Sequence, residues 1–388
     1  MTLQSRISSV WNEPEAAKPY FSGVSLHSHT NQSQESLTFL HMMATEYRPL
    51  RPVFAFYERV AFERYGIKLD FLAGHWTPPL TPRMAFDLEH RQIEQQLHLM
   101  PMVSITDHDN IKAPMLLRTV PSARHIPVSL EWSAPYGQTE FHIGIHNLPS
   151  AEAQQWMARL EAFTEKPSAS DLTNLLEELH ALPNVLIVLN HPLWDLHQIG
   201  HAAHIQHLER FLETHNRVIH ALELNGLRHT RENRDVVKLA KRWNQLVISG
   251  GDRHGLEPNA NVNLSNAENF TNFVHEIRYE RKSHVLFLPQ YAEPWQQRIL
   301  RSTLEAVSNF PNFPDGMRRW DERVFHPDAN GVMRRASELW PAGRAPRALS
   351  SAIGLVHLLH HPSMSLGLRL LALSSTREMG VSINEQEA

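Results

Sequence analysis

Cysteine is absent from the 388 residues. Disulfides are therefore excluded, and any metal this chain holds must be held by nitrogen and oxygen ligands. Positive charge is not in excess either. The 37 Lys and Arg stand against 41 Asp and Glu, a net charge of -4 with histidine neutral. No basic block stands out, so nucleic acid is not expected as a partner. A continuous apolar run of about 20 residues, the length of a membrane span, is also lacking, and no membrane partner is expected. The most hydrophobic late stretch, Ala348 to Ser374, is broken by His357, His360, His361, Pro362 and Arg369. It is expected to form an apolar helix pair docked on the main domain or on a second copy in a homo-oligomer. The N-terminal MTLQSRISSVWNEPEAAKPYF has no apolar h-region, so a signal peptide is not expected and the cytoplasm is the expected compartment. A Walker loop, a GxGxxG after a strand and an HExxH are missing too.

What remains is a composition 42% hydrophobic and 20% charged, ample for a large core. Short apolar or β-branched runs predict strands near Val24–Leu26, Met102–Thr106, Pro127–Leu130, Phe141–Ile145, Val185–Asn190, Val218–Leu224 and Leu246–Ser249. Amphipathic helical stretches lie between most of them, for example Trp156, Leu160 and Phe163, then Leu172, Leu175, Leu176 and Leu179. Strands alternating with helices predict an α/β fold with a parallel sheet, and seven such units suit a closed barrel. Two regions break the rhythm. Residues 36–100 are far longer than an ordinary βα connection of roughly 2–6 residues and are rich in aromatics. This insertion after the first strand is expected to be a lid or small subdomain. Beyond Pro289 the alternation stops, and a mostly helical C-terminal extension is expected over 289–388, leaving 1–288 as the main domain.

Histidines and acids recur where these strands end. His27, His29 and then Glu35 follow the first strand, and Asp107 and His108 follow the second in TDHD. Glu131 ends the third, His142 lies in the fourth, and His191 follows the fifth in NHP. Glu223 and Asn225 end the sixth, and Asp252, Arg253 and His254 follow the seventh in GGDRHG. In a parallel β/α barrel the active site lies at the C-terminal ends of the strands. Surface residues would not track strand ends in this way. Imidazole suits zinc, iron and manganese, while carboxylates favour harder ions and can bridge two of them. One site takes three or four ligands, so this number of candidates points to two or three divalent ions.

The ordered set HxH, TDH, E, H, HP, DxH resembles the PHP (polymerase and histidinol phosphatase) family of metal-dependent phosphoesterases over about Val24 to Gly255. The resemblance implies a distorted (β/α)7 barrel, in agreement with the seven strands. It also implies that His27 and His29 bind a first metal with Glu131 and Asp252. Glu131 would bridge to a second metal held by His142 and His191, and His108 and His254 would hold a third. Many members complete that third site with a His or Asp shortly after the HxH; here the nearest match is Glu35, a departure from the pattern.

Asp107 is expected to orient ligands or handle protons, since carboxylates bonded to ligating histidines set their orientation. Arg253 and Arg228 are each candidates to meet a phosphate with planar donors, or to form a salt bridge instead. His197, His201, His204 and His207 lie at helical spacing and are read as a polar helix surface. The expected function is hydrolysis of a small phosphorylated metabolite by metal-activated water, with Asp107, His254, Arg253 and Arg228 as the catalytic candidates. Three alternatives share this sequence pattern: a phosphodiesterase or nuclease, a hydrolase of another ester or amide, and a metal-stabilised binding module.

Overall fold

A computed structural model describes residues 4–37 and 51–340, with positions 350 and 354 beyond them. Apart from those two positions, the helix pair expected over Ala348 to Ser374, and the oligomer contact expected from it, lie outside the described residues. In chain order the first strands are β1 (Gln4–Ser9), β2 (Ser22–Ser25), β3 (Glu35–Ser36), β4 (His75–Trp76) and β5 (Met100–Val103). Then come β6 (Val128–Tyr136), β7 (Thr139–Leu148), β8 (Leu186–Leu189), β9 (Ala221–Asn225) and β10 (Leu246–Gly250). The last are β11 (Asn261–Ser265), β12 (Lys282–Phe287), β13 (Val324–Pro327) and β14 (Met333–Arg335). Two compact units result. One takes its described residues from Met1–Gln32 and Leu80–Ile299, the other from Ser33–Pro79 and from the chain after Leu300.

The first unit is α/β. It holds two five-stranded sheets, in the orders β1-β12-β11-β2-β5 and β10-β9-β8-β7-β6. All seven expected strands are present, as β2 and β5 to β10. The expectation of a purely parallel sheet needs correction, because β6 pairs antiparallel with β7 and β7 antiparallel with β8. The cause is local: Tyr136 pairs with Thr139 across Gly137 and Gln138, and Gly137 supplies the positive φ of 64° that so tight a hairpin requires. β1, β11 and β12 escaped the sequence reading. In β11 the residues Asn261 and Asn263 are buried, so it lacks an apolar pattern. Asn263 accepts from the Ser249 N–H of β10 and Asn261 donates to the Leu224 carbonyl of β9, so each side chain ties β11 to a strand of the other sheet.

Two-residue periodicity sorts the strands' side chains. Leu186 and Val188 of β8, Ala221 of β9, and Leu246 and Ile248 of β10 join Val24, Leu26 and Met102 of the other sheet in one apolar cluster. The alternate positions Ile187, Leu189, Leu222, Leu224 and Val247 face the other way. There they pack with Trp156 and Leu160 of helix Ala153–Glu165, Leu172 and Leu176 of helix Ala169–Ala181, and Phe211 and Leu212 of helix His201–His215. The helix Pro82–Gln92 is part of this first unit although it falls within residues 36–100. At the C-terminal end of the strands, backbone bonds run on past the sheets. Asp109 N–H donates to Glu131 O at 2.9 Å, and Asp252 N–H donates to His27 O at 2.8 Å.

The second unit, taken by itself, carries the sheet β14-β13-β4-β3. Strands from the long early segment and from the late extension thus form one sheet. Among the described residues the extension also contributes the strands β13 and β14. Arg323 is fully buried and donates to the carbonyls of Met317, Ala306 and Ser308, where a loop would otherwise leave acceptors unmet. No helix among the described residues is long and apolar enough to cross a membrane.

His284 of β12 gives the first unit an acid-sensitive contact. Its Nδ1 lies 2.8 Å from the Tyr20 hydroxyl and its Nε2 2.8 Å from Ser8 Oγ. Burial, helped by the charge of Arg6, pushes its pKa down to about 4. The unfolded chain therefore binds a proton here at a higher pH than the folded one, so stability falls as pH drops from about 6.5 towards 4. In His284→Gln the loss of melting temperature across that window should be shallower, relative to the variant's own value at pH 7. An unaltered slope in thermal melts would contradict this.

Candidate metal centre

Strand periodicity carries polar groups to one end of the inner cluster. On β9 the inner series runs Ala221, Glu223, Asn225; beyond β8, Leu186 and Val188 lead to Asn190; beyond β10, Leu246 and Ile248 lead to Gly250 and Asp252. On β7, His142 and Gly144 share a face, and Glu131 of β6 pairs with Gly144. Gly144 has no side chain to block Asn190, whose Oδ1 would lie 2.9 Å from a Cβ there. Asn190 therefore passes to donate to Glu131 Oε1 at 3.0 Å. Three site residues depart from regular backbone: His27, His191 and Asp252 have φ of 60°, 25° and 54°. Side chains other than glycine rarely adopt such values, and strain of this kind is kept where surrounding structure enforces it.

Glu131 is the centre of the arrangement and is fully buried. Its Oε2 lies 2.9 Å from His27 Nε2, 3.3 Å from His29 Nε2 and 3.3 Å from His108 Nε2. Its Oε1 lies 3.1 Å from His191 Nε2 and 3.3 Å from His142 Nδ1. Asp252 Oδ1 is 3.6 Å from both His27 Nε2 and His29 Nε2. His254 Nδ1 is 3.5 Å from the same oxygen, and its ring stacks on His29 at 4.3 Å between centroids. The structure thus brings together eight expected ligands, namely His27, His29, His108, Glu131, His142, His191, Asp252 and His254. Glu35 opens β3 in the second unit and is buried there.

The donor set fits divalent metal. Buried groups of three ligand atoms, each within 4.8 Å of one another, are formed by His27, His29 and Asp252, by His27, Glu131 and His191, and by His108, Glu131 and His142. Imidazole nitrogens crowd together, with His27 Nε2 and His29 Nε2 3.1 Å apart. His142 Nδ1 is buried without a hydrogen-bond partner. Three carboxylates, Glu131, Glu223 and Asp252, are buried within this space and demand positive charge. In the absence of metal, protons must supply it. Burial opposes charge on His27, yet Glu131, Glu223 and Asp252 outweigh that and raise its pKa well above the usual histidine range. Burial likewise opposes charge on His142, but Glu131 and Glu140 lift it to about 10. Burial would raise Glu131, but His27, His108 and His142 hold it well below the usual carboxylate range. His191 is lowered, with burial the largest cause.

The remaining candidates are placed around the ligands. Asp107 is buried and accepts from the Thr30 N–H and, at 2.8 Å, the Thr30 hydroxyl, so it fixes the chain just past His29. Arg253 is also buried. It donates to Glu89 Oε1 at 3.0 Å, Gly255 O at 2.9 Å and His29 O at 2.8 Å. That geometry ties the DRH turn to the HxH turn and to helix Pro82–Gln92. Arg228 lies with its guanidinium carbon 3.9 Å from the centroid of Trp194, and Trp194 meets the rings of His191 and His142 edge-on at 5.0 and 5.8 Å. His204, read as part of a polar helix surface, is instead buried and lies 2.9 Å from the Pro192 carbonyl, bracing the turn that carries His191.

Several contributors were not among the expected ligands or catalytic residues. Glu223 accepts from the His191 N–H at 2.8 Å and contacts His27 Nδ1, so it orients two ligands at once. Asn225 donates to Glu223 and to Asp252 at 3.0 and 3.1 Å. Glu140 lies 3.2 Å from His142 Nε2. The signal for Glu223 and Asn190 was present in the two-residue alternation, while Glu89, Glu140 and Trp194 became visible only in three dimensions.

No family model and no curated protein matches the chain. Among solved structures it is similar to PsfC from Pseudomonas syringae PB-5123, at TM-score 0.35 and 14% identity over 57% of this chain and 87% of that one. It is also similar to an amidohydrolase from Chromobacterium violaceum with bound sulfate and no metal, at TM-score 0.31 and 16% identity over 58% and 92%. A third, from Bifidobacterium adolescentis, is assigned as a metal-dependent phosphoesterase and gives TM-score 0.30 and 16% identity over 53% and 92%. These likenesses are distant, and the functional reading rests on the geometry of the site.

Glu223→Gln should weaken metal uptake by about 10–100-fold, the usual effect of removing a carboxylate that orients a ligating histidine. Gly250→Ala should do the same, because its Cβ would fall 1.5 Å from Glu223 Oε1. Competition with a chromogenic chelator reads both. Wild-type affinity in either folded variant would show that Glu223 does not set the site.

Proposed function

We propose that this chain is a metal-dependent phosphoesterase of the PHP type, built on a distorted (β/α)7 barrel and acting on a small phosphorylated metabolite. The observation that carries the reading is the convergence of His27, His29, His108, His142 and His191 on both oxygens of buried Glu131, with Asp252 beside His27 and His29 and His254 beside Asp252. Two or three divalent ions, manganese, zinc or iron, would be held by this donor set, in which Glu131 belongs to two of the ligand groups. When bound, such ions supply an activated water and withdraw charge from the phosphoryl oxygens.

The chain's own groups do the rest. His27 and His29 with Asp252 form one ligand group, and His142 and His191 meet the other oxygen of Glu131. His108 and His254 flank His29, their rings stacked on its own at 4.9 and 4.3 Å between centroids. Glu223 and Asn225 hold His27, His191 and Asp252 in orientation. Arg228, over the Trp194 ring beside His142 and His191, is suited to receive an anionic group from the side of the substrate. Its Nε has no hydrogen-bond partner among the described residues, and its nearest carboxylate contact, Glu232, is 3.9 Å away. Arg253 contributes by bracing the two metal-bearing turns, in keeping with its bonds to Glu89 and His29.

Asp252→Ala should lower turnover of a generic aryl phosphate by at least about 100-fold, a loss of roughly 3 kcal/mol of transition-state stabilisation, while circular dichroism stays native. Arg228→Gln should raise KM for an aryl phosphate more than for an uncharged aryl ester. Full phosphatase turnover in metal-loaded Asp252→Ala would refute the reading. Faster hydrolysis of neutral esters than of phosphates would reassign the substrate class.

A further inference from the structure

At the opposite ends of β8, β9 and β10 from the metal ligands lies a cavity of about 620 Å³. The segments that line it lead into these strands, roughly 15 Å from the candidate metal centre at about 3.3 Å per residue. Its lining holds Arg217, Arg278, Arg281, His180 and His220, with Trp243 and Gln245, and it includes no Asp or Glu. We propose that this cavity is a second ligand site that binds a small oxyanion, a phosphate, sulfate or carboxylate group, independently of the metal centre.

Three observations support it. First, the positive charge is only partly answered. Arg217 pairs with Glu177 outside the lining. Arg278 spends Nη1 and Nη2 on the carbonyls of Leu182, Val185 and His180. Arg281 donates to the Asn244 carbonyl at 2.9 Å. Carbonyls satisfy donors, but they carry no net charge to offset two guanidinium groups. Second, lining groups are left over: Trp243 Nε1 and Gln245 Oε1 are buried without a hydrogen-bond partner. Gln245 itself is 4% exposed, and its amide nitrogen is committed to Asn216 and Ile219. A protonated oxyanion or its bridging water would meet the acceptor, and the indole N–H is a donor suited to an anion. Third, His180 Nδ1 and His220 Nε2 lie 2.9 Å apart. Burial, followed by the charge of Arg278, lowers both imidazoles below the usual range, so neither adds positive charge that an anion would have to share. Arginine forks are the side chains best matched to planar or tetrahedral oxyanions.

The test uses the full-length, manganese-loaded protein with sulfate, against chloride at equal ionic strength. Calorimetry should detect sulfate binding that is weakened at least tenfold in Arg281→Gln and further in Arg281→Gln with Arg217→Gln. Both residues are partly or largely exposed, and circular dichroism reports whether either variant is misfolded. A sulfate-soaked crystal of the unaltered protein gives a readout that does not depend on variants, and density should lie in the cavity beside Arg281. The proposal is overturned if sulfate produces no heat beyond chloride, if the folded variants bind as tightly as the parent, or if the soaked ion occupies only the metal centre.

Discussion

The buried carboxylate of Glu131 is the constraint on which the first unit depends. A carboxylate in a low-dielectric interior costs several kcal/mol unless it is paired and hydrogen-bonded. Here its two oxygens are answered by five histidine nitrogens and one amide. The partners come from four stretches of chain: His27 with His29, His108, His142, and Asn190 with His191. The strands must therefore end together, in register, before this charge is satisfied. Folding of the sheets and assembly of the site are in that sense one event, and bound metal would stabilise the folded state because the unfolded chain has no comparable site.

A second layer of contacts explains why the ligands hold their places. Glu223 touches two ligands, Asn225 bridges two carboxylates, and Asp107 pins Thr30 one residue past His29. Glu89 reaches from helix Pro82–Gln92 to Arg253, to the Asn259 N–H and to the Ser25 hydroxyl. It is fully buried, and burial raises its pKa, with Arg253 the largest opposing influence. Small residues make this crowding feasible. A Cβ at Gly250 would collide with Glu223, and one at Gly251 would sit 1.8 Å from Asn259. These glycines are needed for close approach, not for turn conformation.

Much of this was legible in the sequence because strand ends are marked by composition. HxH, TDH, NHP and DRH follow apolar runs, and alternation carries the inner face of each strand into the site. The strands β8, β9 and β10 were legible for the same reason, since their apolar runs are buried on both faces. What stayed hidden had non-local causes. β11 is polar because Asn261 and Asn263 bond to neighbouring strands. The antiparallel hairpin turns on one glycine at 137. In its motif Arg253 was open both to a phosphate and to a salt bridge, and only the position of Glu89, 164 residues earlier in the chain, shows its donors committed to the latter. The sheet joining β3 and β4 to β13 and β14 has no local signal either, because its strands are short and far apart in sequence.

The central claim is that Glu131 sits among bound metal ions. Anomalous scattering at the manganese, iron and zinc edges, from crystals of protein purified without chelator and then loaded with each metal, tests it most directly. The account predicts at least two anomalous peaks within ligand distance of the Glu131 carboxylate and its surrounding histidines. No peak near Glu131 with any of the three metals would contradict it.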